Sequence, residues 1–194
     1  MFEILIEVES AAVPCPSVPP MKPGLGFVVR DEKLFPRDAA PICIFALQSM
    51  MPFLTAKQRA IAADDWMIRV HHSQCPHPEH RVVWRLEQRP IGTTEWLGAD
   101  VQWQSQDIGV VVEDIRGVCT SGTAIGDGAI VRNGLLHLPQ PMCLWAAQVA
   151  LPALAARTVP DCFELEGRRR GGSPSILVCP DPVGSVILRV EERD

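Results

Sequence analysis

The sequence lacks the marks of several large functional classes. No apolar run reaches the roughly 18 residues that a membrane helix needs, so the membrane is not an expected partner. Positive charge is not in excess: 18 Lys and Arg stand against 23 Asp and Glu, for a net charge of -5. Binding to phosphate backbones asks for a basic face, so nucleic acid is not expected either. The one basic run, Arg168-Arg169-Arg170, sits among glycines and reads as a solvated loop, with an anion site as the sharper alternative. There is no phosphate loop and no Ser-His-Asp arrangement that spacing supports. Gly24-Leu25-Gly26 and Gly126-Asp127-Gly128 precede strands, whereas a dinucleotide fingerprint follows one. No catalytic residue is assigned, and whether the protein is an enzyme stays open at this level. The N-terminus shows a strand pattern in place of a basic and then apolar leader. A cytoplasmic setting is therefore expected, in which the seven cysteines are thiols or metal ligands before they are disulfides.

What the chain has is an internal echo. Residues 75–89 and 179–193 align over fifteen positions without a gap, and seven are identical, including Cys75/Cys179, Pro76/Pro180 and Pro78/Pro182. Residues 4–15 align with 108–119, and 24–30 with 126–132. Cys43–Leu54 aligns with Cys143–Leu154, sharing Cys43/Cys143, Ala46/Ala146, Gln48/Gln148, Pro52/Pro152 and Leu54/Leu154. The expected organisation is a first repeat unit over 1–90, a connector over 91–106 marked by Pro90, Gly92, Thr93, Thr94 and Gly98, and a second unit over 107–194. Each unit reads as β-β-α-β-β, giving an α+β fold of two tandem units related by a pseudo-two-fold axis.

The strands are expected over 2–9, 24–30, 67–73 and 81–88 in the first unit, from β-branched enrichment and flanking turn residues. Asp31-Glu32 and Asn133-Gly134 read as turns, the latter a strong hairpin signal. A helix is expected from Cys43, with Pro41 at its N-terminal position, a kink or break at Pro52 and a second helical piece over 55–63. Ser175–Val178 and the segment after Pro182 read as closing strands.

The order Cys, Gly-Asp, Pro-x-Cys opening a helix, then Cys-Pro-Asp-Pro resembles a microbial family of short, uncharacterised proteins of about ninety residues, one such unit per chain. The second unit carries the full pattern in Gly126-Asp127, Cys143, Pro152 and Cys179-Pro180-Asp181-Pro182. The first departs from it at Leu25 and His77. The resemblance implies a fold and no mechanism.

Three cysteines recur in register, as Cys15/Cys119, Cys43/Cys143 and Cys75/Cys179, each at the end of an element. Brought together near a helix N-terminus, three thiolates would suit zinc or an iron–sulfur centre. The candidate metal ligands are Cys119, Cys143 and Cys179, or Cys15, Cys43 and Cys75 with His77 from the group His71, His72, His77 and His80. No Cys-x-x-Cys is present; the duplicated cysteines read first as small buried residues, then as metal ligands and last as redox thiols. Cys162 has no counterpart. Asp127 and Asp181 read as turn caps, or as general acids or bases if buried. A reading from a different class is a non-catalytic accessory subunit docking on a larger enzyme, with Trp96 and Trp103 of the connector at the interface.

Overall fold

The computed structural model describes residues 2–11, 13, 15, 20–59, 61–76, 80–92, 100–158, 175–181 and 183–192. Among the sequence expectations, His77, Trp96, Cys162, Arg168–Arg170 and Pro182 lie outside the described residues.

The fold is α+β, with two helices and two antiparallel six-stranded sheets. The first half runs β1 (Phe2–Ser10), β2 (Gly26–Arg30), β3 (Lys33–Pro36), β4 (Ile42–Cys43), α1 (Ile44–Lys57), a 3-10 turn (Trp66–Arg69), β5 (His72–Gln74) and β6 (Val83–Pro90). The second runs β7 (Ile108–Gly117), β8 (Gly128–Arg132), β9 (Leu135–His137), β10 (Met142–Cys143), α2 (Leu144–Thr158), β11 (Ser175–Val178) and β12 (Gly184–Glu192). The strand orders are β10-β3-β2-β1-β6-β5 and β11-β12-β7-β8-β9-β4. Each half thus lends one two-residue strand to the sheet of the other: Met142 and Cys143 pair with Leu34 and Lys33, and Ile42 and Cys43 pair with Leu136 and Leu135.

Local chemistry sets this exchange up. Asp31 and Glu32 close β2 onto β3, and Asn133 and Gly134 close β8 onto β9. All four residues have positive φ, as the primed two-residue hairpin turns require. The carbonyl of each turn then receives the first helical amide of the other half: Leu144 N donates to Glu32 O at 2.7 Å, and Ile44 N to Gly134 O at 3.0 Å.

Several expectations are corrected. The order β-β-α-β-β omits β3, β4, β9 and β10. Pro41 does not open the helix, because β4 intervenes and α1 starts at Ile44. No break occurs at Pro52 or Pro152; both helices run through. The carbonyl deprived of its donor belongs to Gln48 or Gln148, and these glutamines and both prolines are exposed, so water can satisfy it. The helical piece expected to Ala63 stops at Lys57. The strand expected over 67–73 is reduced to His72–Gln74, because Asp65 accepts from Met67 N at 2.8 Å and caps a 3-10 turn in its place.

The buried side chains of both halves form one continuous cluster, from Ile4, Ile6, Phe27 and Trp84 to Leu144, Leu154, Val186 and Val190. α1 and α2 touch each other. α1 lies against β1 and β5, and α2 against β7, β11 and β12. The buried positions of α1 (Ile44, Leu47, Met51, Leu54) keep the helical spacing that faces a core. In the connector, Trp103 packs on its own chain: a Cβ added at Gly109 would stand 2.2 Å from its ring. Gly109→Ala is expected to displace that ring and lower stability by about 1–3 kcal/mol. Urea unfolding followed by tryptophan fluorescence checks this.

At the mouth of each sheet a buried acid holds an arginine fork. Glu3, fully buried, accepts from Arg30 Nε and Nη2 at 2.9 and 2.7 Å and from Gly92 N at 3.0 Å. Asp107 accepts from Arg132 Nε and Nη2 at 2.8 and 2.7 Å and from Gln104 N at 2.8 Å. Both ends of the connector are thereby tied to strand starts.

Candidate thiol site at the seam between the sheets

The strand exchange decides where the cysteines fall. Cys43 and Cys143 are the last residues of β4 and β10, each on an edge of the other half's sheet and each preceding a helix. Cys75 and Cys179 follow β5 and β11, and their amides donate to Val82 O and Val186 O, both at 2.8 Å. The two bonds join matching positions of the two halves. Cys15 and Cys119 lie beyond β1 and β7, half-buried against the core. Among the described residues the six cysteines form no disulfide.

In the second half Cys179 feels the charges of both Cys143 and Cys119. The chain after β7 abuts the loop before β12: Val118 N donates to Val183 O at 3.4 Å, Thr120 Oγ1 to Asp181 Oδ2 at 3.4 Å, and a Cβ at Gly184 would stand 2.6 Å from Cys119 N. Cys119 Sγ lies 3.1 Å from Ser121 Oγ, which lies 2.9 Å from Thr123 Oγ1. Thr123 in turn lines a water-sized cavity of about 10 Å³ together with Asp127 and Cys143. Burial pushes the Cys119 thiol up, but the hydroxyls and amides of Ser121 and Thr123 outweigh it and hold the thiol below its ordinary value. Cys179 is shifted the other way. Burial raises it, the amide of Asp181 opposes, and the charges of Cys143, Asp181 and Cys119 raise it further.

In the first half two thiols are paired. The thiols of Cys43 and Cys75 hydrogen-bond to each other. That bond and burial raise Cys43 far above its ordinary value, against the amides of Ala46 and Phe45 at the start of α1. Cys15 shows no such link. Of the described histidines, His72 Nε2 sits 3.0 Å from Glu9 and His71 is exposed. Among the described residues no three His, Cys, Asp or Glu side chains are set as the ligands of a metal.

The two aspartates are turn acceptors. Asp127 accepts from Ala124 N and Gln140 Nε2, both at 2.8 Å, and Asp181 from Val183 N at 2.9 Å. Leu25 keeps the backbone role of Asp127: Val8 N donates to Leu25 O and Val112 N to Asp127 O, each at 2.8 Å. Sequence reasoning missed Ser121 and Thr123. The hydroxyl-rich run Thr120-Ser121-Gly122-Thr123 directly after Cys119 was the available signal. No family model, curated protein or solved structure matches the chain.

Proposed function

We propose that this is a cytoplasmic protein that binds a soft metal ion, zinc or the iron of an iron–sulfur centre, through Cys119, Cys143 and Cys179. The observation that supports the reading is that the charges of Cys143, at the end of β10, and Cys119, beyond β7, both act on Cys179, beyond β11, while hydroxyls favour the anion at Cys119. Thiolate sulfur suits these metals, and a fourth position is left for another ligand. Ligation needs the three side chains to turn toward one point, because zinc–sulfur bonds are about 2.3 Å. The same reading takes the chain as a tandem duplication about a pseudo-two-fold axis. It rests on the aligned sequences, the reciprocal strands β4 and β10, the paired turns and the matching amide bonds of Cys75 and Cys179.

Elemental analysis of protein purified without oxygen tests the proposal. About one zinc per chain, or iron with visible absorption, is expected, with Cys119, Cys143 and Cys179 protected from alkylation. Metal well below one equivalent, with every thiol open to alkylation, contradicts it. A second reading, an accessory subunit of a larger enzyme, draws on the exposed Val118, Ile125 and Val183 close to the thiols. It predicts a stoichiometric partner on purification at native levels, and a clean monomer contradicts it.

A further inference from the structure

The thiol pair of the first half stands apart from that triad. Ser49 Oγ on α1 lies 3.3 Å from Ser73 Oγ on β5, which seats the helix on that strand. Cys43 immediately precedes α1, and Cys75 is two residues beyond Ser73. The hydroxyl contact and the thiol contact therefore report one juxtaposition from two independent pairs of atoms. Cys43 is 9% exposed and Cys75 7%, whereas Ile44 and Leu47 beside them are fully buried, so the pair lies at the margin of the core. Cys43 belongs to the β4 edge of the second sheet and Cys75 to the β5 edge of the first. A bond between them joins the two sheets at a point where the described backbone pairs none of their strands.

We propose that Cys43 and Cys75 form a reversible dithiol–disulfide couple that exchanges electrons with a low-molecular-weight disulfide and, when oxidised, staples one sheet to the other. The sulfur of Cys75 attacks one sulfur of the small disulfide, its proton leaving with the first small thiol. That step forms a mixed disulfide and releases the first small thiol. Cys43 then attacks the Cys75 sulfur, its proton leaving with the second small thiol. One S–S bond is broken and one is formed. Two protein thiols are oxidised, and one small disulfide is reduced to two thiols. This couple is independent of the metal reading, which uses Cys119, Cys143 and Cys179.

The test uses the full chain, reduced, incubated with glutathione disulfide, alkylated and mapped as peptides. The expected result is a Cys43–Cys75 linked peptide as the main oxidised species, with the loss of two of the seven alkylatable thiols and recovery of both on reduction. In Cys43→Ser the second step is blocked, and Cys75 is expected to retain one glutathione per chain. The proposal is overturned if, in the unmodified sequence, Cys43 and Cys75 both alkylate fully after oxidation. It is equally overturned if either retains glutathione without closing, or if the main cross-link joins other cysteines. Because the unmodified chain decides the question, a variant that fails to fold leaves the outcome intact.

Discussion

Replacing Asp107 with alanine is expected to destabilise the protein by about 3 kcal/mol, because removing one partner of a buried pair leaves the other charge uncompensated. The side chain of Asp107 is 2% exposed and that of Arg132 26%, and the arginine fork also donates to Gln102 O at 2.9 Å. The loss would take a large part of an ordinary domain stability of about 5–15 kcal/mol. A pH signature separates this pair from simple packing. Burial raises the Asp107 carboxyl, but the Arg132 hydrogen bonds, the Gln104 amide and the charges of Arg132 and His137 outweigh it, so the native carboxyl titrates below its ordinary 3.8. A depressed carboxylate stabilises the fold fully above its unfolded value and loses that contribution as the pH falls through its native value. The stability gap between the wild type and Asp107→Asn should therefore be constant near neutrality and narrow below about pH 4. Urea midpoints across pH check it, and a gap independent of pH down to the acid limit contradicts it.

The second large effect is expected at Gly26. A Cβ there would stand 2.1 Å from the carbonyl oxygen of Ile6 and 3.1 Å from Glu7 Cα. Both are backbone atoms of the paired strand, and no flexible side chain can move aside. Gly26→Ala must push β2 away from β1 in the middle of the first sheet, and a loss of about 3 kcal/mol is expected, at the upper end for overpacking. Gly128 meets Val110 O at 2.3 Å, and the same substitution there should have the same effect in the second sheet. Gly24→Ala is the control. It has φ +88 and nothing within 4 Å, so it should cost only the left-handed backbone penalty of about 1–2 kcal/mol. Equal midpoints for Gly24→Ala and Gly26→Ala would show that the close approach does not govern stability.

The sequence displayed those parts of the fold that rest on short-range pattern. β1, β7 and β12 carry β-branched residues often enough to stand out, and the core face of α1 repeats at helical spacing. The turn at Asn133-Gly134 was visible because few residues tolerate positive φ at both positions. The exchange of β4 and β10 was not. A two-residue strand has no period, and its partner lies far along the chain, Leu135 for Cys43 and Lys33 for Cys143, so only the assembled sheets reveal it. Pro52 and Pro152 misled for a related reason. Proline interrupts a helix only where the freed carbonyl finds no donor, and exposure at that site is a property of the assembled fold. The cysteines could be aligned in the sequence, whereas the pairing of Cys43 with Cys75 and the charges that reach Cys179 from Cys143 and Cys119 depend on which sheet each short strand joins. The ion pairs Glu3–Arg30 and Asp107–Arg132 occupy matching places in the two halves. The acids stand one position before the aligned block, where no hydrophobic pattern draws the eye.

The central claim is that Cys119, Cys143 and Cys179 act as one ligand set. Titration of the reduced, metal-free protein with cobalt(II) tests it most directly, because sulfur-to-cobalt charge transfer gives strong near-ultraviolet absorption that oxygen and nitrogen ligands do not. The account predicts saturation at about one cobalt per chain. The absorption should survive in Cys43→Ser and Cys75→Ser and disappear in Cys119→Ser, Cys143→Ser and Cys179→Ser. Saturating cobalt with no such band, or a band that survives the loss of Cys179, would contradict it.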